Sequence, residues 1–210
     1  MSVLVYVDHA DGHVKKASFE ALTYGADVAK QSGIKAEAVL LGTVNDNLAD
    51  LGKYGITKVY QVADANLDHT DALVQASVLA EAVKAVGATV LIFSHNQSGK
   101  AVAAAVAAKL QAGIVAGAVA LPDTSNGFTV NKSVFSGKAF ASVKILSDIK
   151  IISLNPNSYK VVAGEGVAEV TPLNIPVPAG KIKVIGVNKV SGEVPLTEAE
   201  VVVSGGRGLK

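Results

Sequence analysis

Short runs of β-branched and aliphatic residues recur along this chain, separated in its first half by stretches with helical spacing. Val3 to Val7 is such a run, ending at Asp8-His9, and its unbroken apolar character predicts a strand buried on both faces. Phe19, Leu22, Ala26 and Ala29 then follow at helical spacing, with Ser18 placed as N-cap and Gly33 as the stop. Ala36 to Leu41 is a second strand, Asn45 to Lys53 a short helix, and Lys58 to Val62 a third strand entered through Gly55-Ile56-Thr57. A long helix begins near Asp68 to Asp71, with Thr70 as cap, and runs to about Val86 and Gly87. Leu73, Val74, Ser77, Val78, Leu79 and Ala80 supply its buried side. Thr89 to Phe93 is a fourth strand; Ser94 to Lys100 leads into an Ala-rich helix ending near Leu110; Ile114 to Leu121 is a fifth strand. Strands alternating with helices over short connections predict an α/β fold, a Rossmann-like doubly wound and mostly parallel sheet.

After Pro122 the helices stop. Phe128 to Val130, Ser133 to Phe135, Ala139 to Ile145 and Lys150 to Leu154 are strand-like pieces in succession, which predicts an added antiparallel section beside the parallel sheet. From Asn155 to Thr197 the pattern is an extended, Pro- and Gly-punctuated connector with one or two edge strands; five of the six prolines lie beyond position 150. Glu198-Ala199-Glu200 then leads into Val201-Val202-Val203 and Ser204-Gly205-Gly206-Arg207-Gly208, which reads as a buried strand and a glycine loop opening a further helix. The expected division is an α/β domain with its connector over 1–190, and over 191–210 a linker with the first strand and glycine loop of a second, incomplete domain.

Composition narrows the chemistry. Only 5% of residues are aromatic against 50% hydrophobic, so the core is built from Ala, Val, Leu and Ile. A formal charge of +1 offers no long-range field for nucleic acid or an anionic membrane. Without Cys there are no disulfides, thiolate metal sites or Cys nucleophiles. No run of about eighteen apolar residues is free of polar interruption. The start enters a strand with neither a signal peptide nor an Arg-rich presequence, so the expectation is a cytoplasmic protein with no membrane span.

Three candidate sites lie within the first 110 residues. Asp8, His9, Asp11 and His13 cluster after the first strand, but no downstream partner motif completes a metal site, and the loop reads as solvated. His95 stands at the carboxyl end of the fourth strand, where open α/β sheets bind ligands, but no carboxylate or Ser at a recognisable spacing makes it a catalytic base. Ser98-Gly99-Lys100 opens a helix without the remaining residues of a phosphate loop. The other reading is a capped helix whose Ala101, Ala104, Ala105 and Ala108 pack on the sheet. No catalytic or metal residues are assigned. The loop Ser204, Gly205, Gly206 and Arg207 is chemically the most suggestive: converging backbone N–H groups suit an anion, and Arg207 can stabilise negative charge on it.

The tail Val201 to Lys210 resembles the opening strand and loop of the FAD domain of electron-transfer flavoprotein alpha subunits. Further matches run through the chain. Val7-Asp8-His9 is similar to the family's first strand end. Gly99-Lys100 with Val106-Ala107-Ala108-Lys109-Leu110 is similar to a family helix, and Ser136-Gly137-Lys138-Ala139 with Val143-Lys144 to a family glycine segment. Ala104-Ala105 stand where the family has Pro-Arg, Asn155 where many members have Arg, and Phe135 and Lys138 where Tyr and Asn are usual. The resemblance implies an adenine nucleotide alpha hydrolase-like α/β domain that docks a beta subunit, and a C-terminal domain that holds FAD. It also implies Arg207 against the flavin, most other FAD contacts outside this sequence, and FAD weakly held or absent from these 210 residues. The activity implied is electron carriage, without bond chemistry, from acyl-CoA dehydrogenase-type flavoenzymes to a downstream acceptor. The alternative is a stand-alone adenine-nucleotide-binding module of the universal-stress-protein type.

Overall fold

A computed structural model describes residues 1–69, 71–182, 184–186, 199 and 201–209. In chain order the elements are β1 (Ser2–Tyr6), a small hairpin β2 (His9–Ala10) and β3 (His13–Val14), α1 (Lys16–Ser32), β4 (Lys35–Leu41) and β5 (Lys58–Val62). Then come α2 (Ala72–Val86), β6 (Val90–Ser94), α3 (Gln97–Leu110), β7 (Gly113–Ala118), β8 (Phe128–Val134), β9 (Ala139–Ile145), β10 (Lys150–Leu154) and β11 (Glu169–Pro172). Segments of 3₁₀ helix at Leu48–Tyr54 and Ala65–Leu67 fill the connections on either side of β5.

One nine-stranded sheet carries the fold, in the order β11-β5-β4-β1-β6-β10-β7-β8-β9. The pairings from β11 through to β7 are parallel, while β7–β8 and β8–β9 are antiparallel. Both faces of the parallel part are covered, which is why its strands read as unbroken apolar runs. Val3 and Val5 point into a cluster with Leu22, Tyr24 and Val28 of α1. Leu4 and Tyr6 point to the other face, with Val78 and Leu79 of α2 and Val102 and Val106 of α3.

Helix ends follow local chemistry with two changes from the sequence reading. Gly33 and Gly87 are left-handed C-caps, and Asp71 caps α2 by accepting from the N–H groups of Leu73 and Val74; Thr70 lies outside the described residues. Ser18 is not a cap. It sits within α1, where its hydroxyl accepts from the Asp8 N–H at 3.0 Å and donates to the Asp8 carbonyl at 2.9 Å. The helix therefore starts earlier, with Lys15 at the cap position and no side chain bonding there.

Two buried faces also differ. On α3 the residues against the sheet are Gly99, Val102, Ala103, Val106 and Ala107, while Ala101, Ala104 and Ala108 are exposed and Ala105 is half-buried. Branched residues remove more apolar area than Ala, so the valines set the rotation of the helix. On α2, Leu73 is exposed, because Asp71 fixes the first turn with Val74 facing inward.

The larger correction is β10. Lys150 to Leu154 is no part of an antiparallel extension; it inserts between β6 and β7, parallel to both. Ile151, Ile152 and Leu154 are fully buried, so the run carries the two-faced apolar signature of a central strand. The antiparallel section consists of β8 and β9, joined to β7 through the pair Ala118–Lys132.

The connector after β10 wraps the opposite edge of the sheet. Its Asn157 and Tyr159 N–H groups donate to the two carboxylate oxygens of Glu20 on α1, at 3.0 and 2.7 Å. Tyr159 meets Tyr24 edge-on with ring centroids 5.3 Å apart, and its hydroxyl donates to Asp27 at 2.6 Å. The strap then lies on the 3₁₀ turn, where a side chain on Gly52 would overlap the backbone of Val167 and Ala168. It pairs with β5 as β11, and Leu173, Ile175 and Val177 continue onto the α2 face. Val201, Val202 and Val203 pair with no strand among the described residues and are exposed, in contrast to the buried strand read from the sequence.

Candidate functional site

From β1 the chain steps outward to β4 and β5, then crosses to β6 on the other side, so the order reverses between β1 and β6. In open α/β sheets the crevice at such a reversal, at the carboxyl ends of the strands, is the usual ligand site. Here a cleft of about 590 Å³ opens there, reached by Asp8, Lys15, Thr43, Asp68, Gln75 and Ser98 among others.

Its floor is already electrostatically filled. Asp8, which the sequence placed in a solvated loop, is only 7% exposed. Its Oδ2 accepts from Lys15 Nζ at 2.8 Å and Asn96 Nδ2 at 2.9 Å. Asn96 caps α3 by accepting from the Gly99 N–H at 2.7 Å, and Asp71 caps α2. The positive ends of both helices thus meet partners from within the fold.

The rim is likewise tied to itself. The His9 Nε2–H donates to the Leu41 carbonyl at 2.6 Å, leaving Nδ1 buried with no partner among the described residues. Asp46 accepts from the Val14 N–H at 2.7 Å and meets His13 Nδ1 at 2.8 Å; the backbone bond first and His13 second hold its carboxyl below the usual range. Asp68 accepts from the Thr43 N–H at 2.6 Å. Among the described residues Asp8, Asp11 and Asp68 line the cleft with Lys15 as the one lysine, a balance that disfavours the phosphates of a nucleotide. Among the described residues no cluster of His, Asp or Glu is arranged to hold a metal.

His95 lies beside the cleft at the end of β6. Its Nδ1 meets Ser153 Oγ at 2.8 Å, a partner 58 residues away that sequence spacing does not reveal. Ser153 is 1% exposed and has no access to a substrate, so the pair is not a nucleophile and base. Burial first, then Lys100 and Lys132, push the His95 pKa down, which favours the neutral ring.

Ser204, Gly205, Gly206 and Arg207 stand apart from the cleft's lining, in an exposed turn closed by the Leu209 N–H donating to the Gly206 carbonyl at 3.0 Å. Among the described residues no acceptor is seen for the N–H groups of Gly205, Gly206 and Arg207. Exposed N–H groups and a guanidinium fit the negatively charged parts of a flavin nucleotide, whereas enclosing its ring system takes walls that residues 201–209 do not supply.

The sequence model described as the electron transfer flavoprotein domain matches residues 3–178. The chain is 30% identical over 98% of its length to the electron transfer flavoprotein subunit alpha of Syntrophomonas wolfei, and 27% identical over 99% to that of Bacillus subtilis. It covers 65% of each of these relatives, and so spans about two thirds of their length. It is also 27% identical over 99% of its length to the lactate dehydrogenase (NAD(+),ferredoxin) subunit LctC of Acetobacterium woodii, covering 51% of that protein.

Proposed function

Since this chain belongs to the electron transfer flavoprotein family, we propose that it is the N-terminal region of an alpha subunit that carries electrons between flavin dehydrogenases and a downstream acceptor. The observation that carries this reading is the family match over residues 3–178, joined to alignment of nearly the whole chain with subunits named alpha.

In this proposal residues 1–190 form the docking and supporting domain for a beta subunit, and residues 191–210 open the domain that holds FAD. Bound flavin supplies the electron-accepting and electron-donating chemistry. This chain's contribution is the loop: the N–H groups of Gly205 and Gly206 orient an anionic group, Ser204 leads into the turn, and Arg207 places positive charge beside the flavin. Acyl-CoA dehydrogenase-type flavoenzymes are the proposed electron donors, the protein acting as a carrier in fatty acid oxidation rather than as an enzyme. The proposed location is the cytoplasm; among the described residues no helix is long and apolar enough to cross a membrane.

The test is co-expression of an alpha subunit containing this sequence with its beta subunit. A heterodimer with visible flavin absorbance is expected, and one purified without flavin overturns the electron-carrier reading. The 210-residue chain alone is expected to bind FAD weakly or not at all, and stoichiometric yellow flavin on it overturns the division at residue 190. A nucleotide module remains the rival reading, and the cleft volume is the observation in its favour; calorimetry with AMP and ATP on the isolated chain separates the two.

A further inference from the structure

Ten asparagines lie along the chain, and Asn126 is the one followed by glycine. The pair occupies the exposed loop that enters β8. Two backbone bonds close the base of this loop: the Asp123 N–H donates to the Thr129 carbonyl at 2.8 Å, and the Thr129 N–H to the Asp123 carbonyl at 2.9 Å. Inside it the Ser125 N–H donates to Asp123 Oδ1 at 2.9 Å, and Gly127 takes a φ of +93°. A side chain disfavours that left-handed backbone, so the turn calls for glycine after Asn126.

An asparagine side chain can react with its own backbone. Its Cγ is an amide carbon within ring-closing reach of the next residue's nitrogen, and a glycine there has no Cβ to shield that nitrogen. The side chain must first turn onto the backbone, which a hydrogen-bonded amide resists. Asn47 Oδ1 accepts from the Ala49 N–H, Asn66 Nδ2 donates to Asp64, Asn96 Nδ2 donates to Asp8, and Asn131 Oδ1 accepts from Ser142. Among the described residues no partner is seen for the exposed Asn126 amide. Lys144 adds charge at the reacting nitrogen. Its side chain lies over Gly127, where a Cβ would be 2.9 Å from Nζ. The nucleophile is the Gly127 nitrogen after loss of its proton, and a neighbouring ammonium favours that anion and the oxyanion that follows it. Lys144 reaches this position because β9 sets it opposite Thr129.

We infer that Asn126-Gly127 is a self-modification site, at which Asn126 is converted to aspartate or isoaspartate with Lys144 assisting. The Gly127 nitrogen gives its proton to hydroxide and attacks Asn126 Cγ. The N–Cγ bond forms, the Cγ–Nδ2 bond breaks, and ammonia leaves with a proton taken from water. Water then adds to either carbonyl of the resulting succinimide and opens the ring. The sum is asparagine and water giving a carboxylic acid and ammonia, with no oxidant, reductant or second protein. Each conversion subtracts one unit from the formal charge of +1 and sets a carboxylate near Lys144. Isoaspartate also adds a backbone carbon to the loop that Asp123 and Thr129 close.

The experiment keeps the whole 210-residue chain in mildly alkaline buffer, folded and in urea, and follows every asparagine-containing peptide by mass spectrometry. A protein-isoaspartyl methyltransferase with labelled methyl donor reports isoaspartate. The variants are Asn126→Gln, Lys144→Gln and, as a distant control on α2, Lys84→Gln; thermal unfolding verifies that each is folded. Folded wild type should convert at Asn126 about tenfold faster than at any other asparagine. Asn126→Gln should remove the isoaspartate signal from that peptide. Lys144→Gln should slow conversion of the folded chain about threefold at low salt, and salt should shrink the difference. In urea, where the hairpin no longer brings Lys144 to Gly127, that variant should match wild type, and Lys84→Gln should match it throughout. Conversion of the folded chain at Asn126 that is no faster than elsewhere overturns the inference, as does conversion confined to urea. A folded-state rate that Lys144→Gln leaves unchanged, or changes equally in urea, overturns the part given to Lys144.

Discussion

Glu20 and Tyr159 are 139 residues apart in the chain, and the carboxylate of the first accepts the backbone N–H of the second at 2.7 Å. With the matching bond from Asn157, this carboxylate fastens the connector to α1. Tyr159 reinforces it through Asp27; burial first and that hydrogen bond second push its phenol up to about 12.

Glu20→Ala removes both acceptors and leaves two backbone N–H groups unpaired beside the helix. Loss of about 1–3 kcal/mol is expected, the cost of stranding buried donors, measured by urea unfolding monitored through tyrosine fluorescence. An unchanged midpoint refutes the role of this carboxylate as fastener.

Gly52→Ala tests the strap at its closest approach. A methyl group there overlaps the backbone of Val167 and Ala168, so the strap must shift and lose the Ala168 N–H to Ala49 carbonyl bond. Destabilisation of about 1–3 kcal/mol is expected. Faster hydrogen exchange at Val59 to Gln61, the β5 residues facing β11, identifies the site of the damage.

Ile152→Ala tests the position of β10. Ile152 is fully buried in the core on the α1 face, so the cavity is expected to cost about 2–5 kcal/mol. A loss under about 0.5 kcal/mol is what an exposed surface strand gives, and it contradicts insertion between β6 and β7.

His95 gives the pH dependence its sign. Its folded pKa lies below the ordinary 6.5, so the unfolded chain takes up a proton that the folded protein resists. No penalty exists well above 6.5; it grows as pH falls through that value and levels off below the folded pKa. His95→Gln should therefore flatten the loss of stability between about pH 7 and 5, and an unchanged pH profile counts against this account.

Much of the fold was legible because its signals are local. The unbroken apolar run of β1, the stops at Gly33 and Gly87 and the strand Lys58–Val62 depend on neighbours in sequence, and they emerged with shifts of one residue or so. The face of α3 was misread because its alanines are numerous but small, and burial is decided by the larger valines. Ser18 was misread because its hydroxyl has two competing uses. A helix cap is local, whereas the Asp8 backbone comes from the connection between β1 and β2, ten residues away.

The candidate sites divide in the same way. Asp8 appeared among solvated turn residues, and only folding brings Lys15 and Asn96 to its carboxylate. Ser153 gave no signal as the partner of His95, since nothing in a sequence announces a contact across 58 residues. The glycine loop from Ser204 to Arg207 is a compositional signal, successive glycines beside an arginine, and the structure shows it as an exposed turn.

By itself, then, the sequence determined the layered α/β class, the succession of the main strands and helices through the first 118 residues without the small β2–β3 hairpin, and the family likeness, because periodicity and turn chemistry are properties of adjacent residues. Tertiary structure alone decided that β10 threads between β6 and β7, that Glu20 holds the returning connector, and that Asp8 fills the floor of the cleft. These are choices among partners that the chain meets only after collapse. Close packing and the demand that each buried polar group find a partner select between arrangements that local propensity leaves equal.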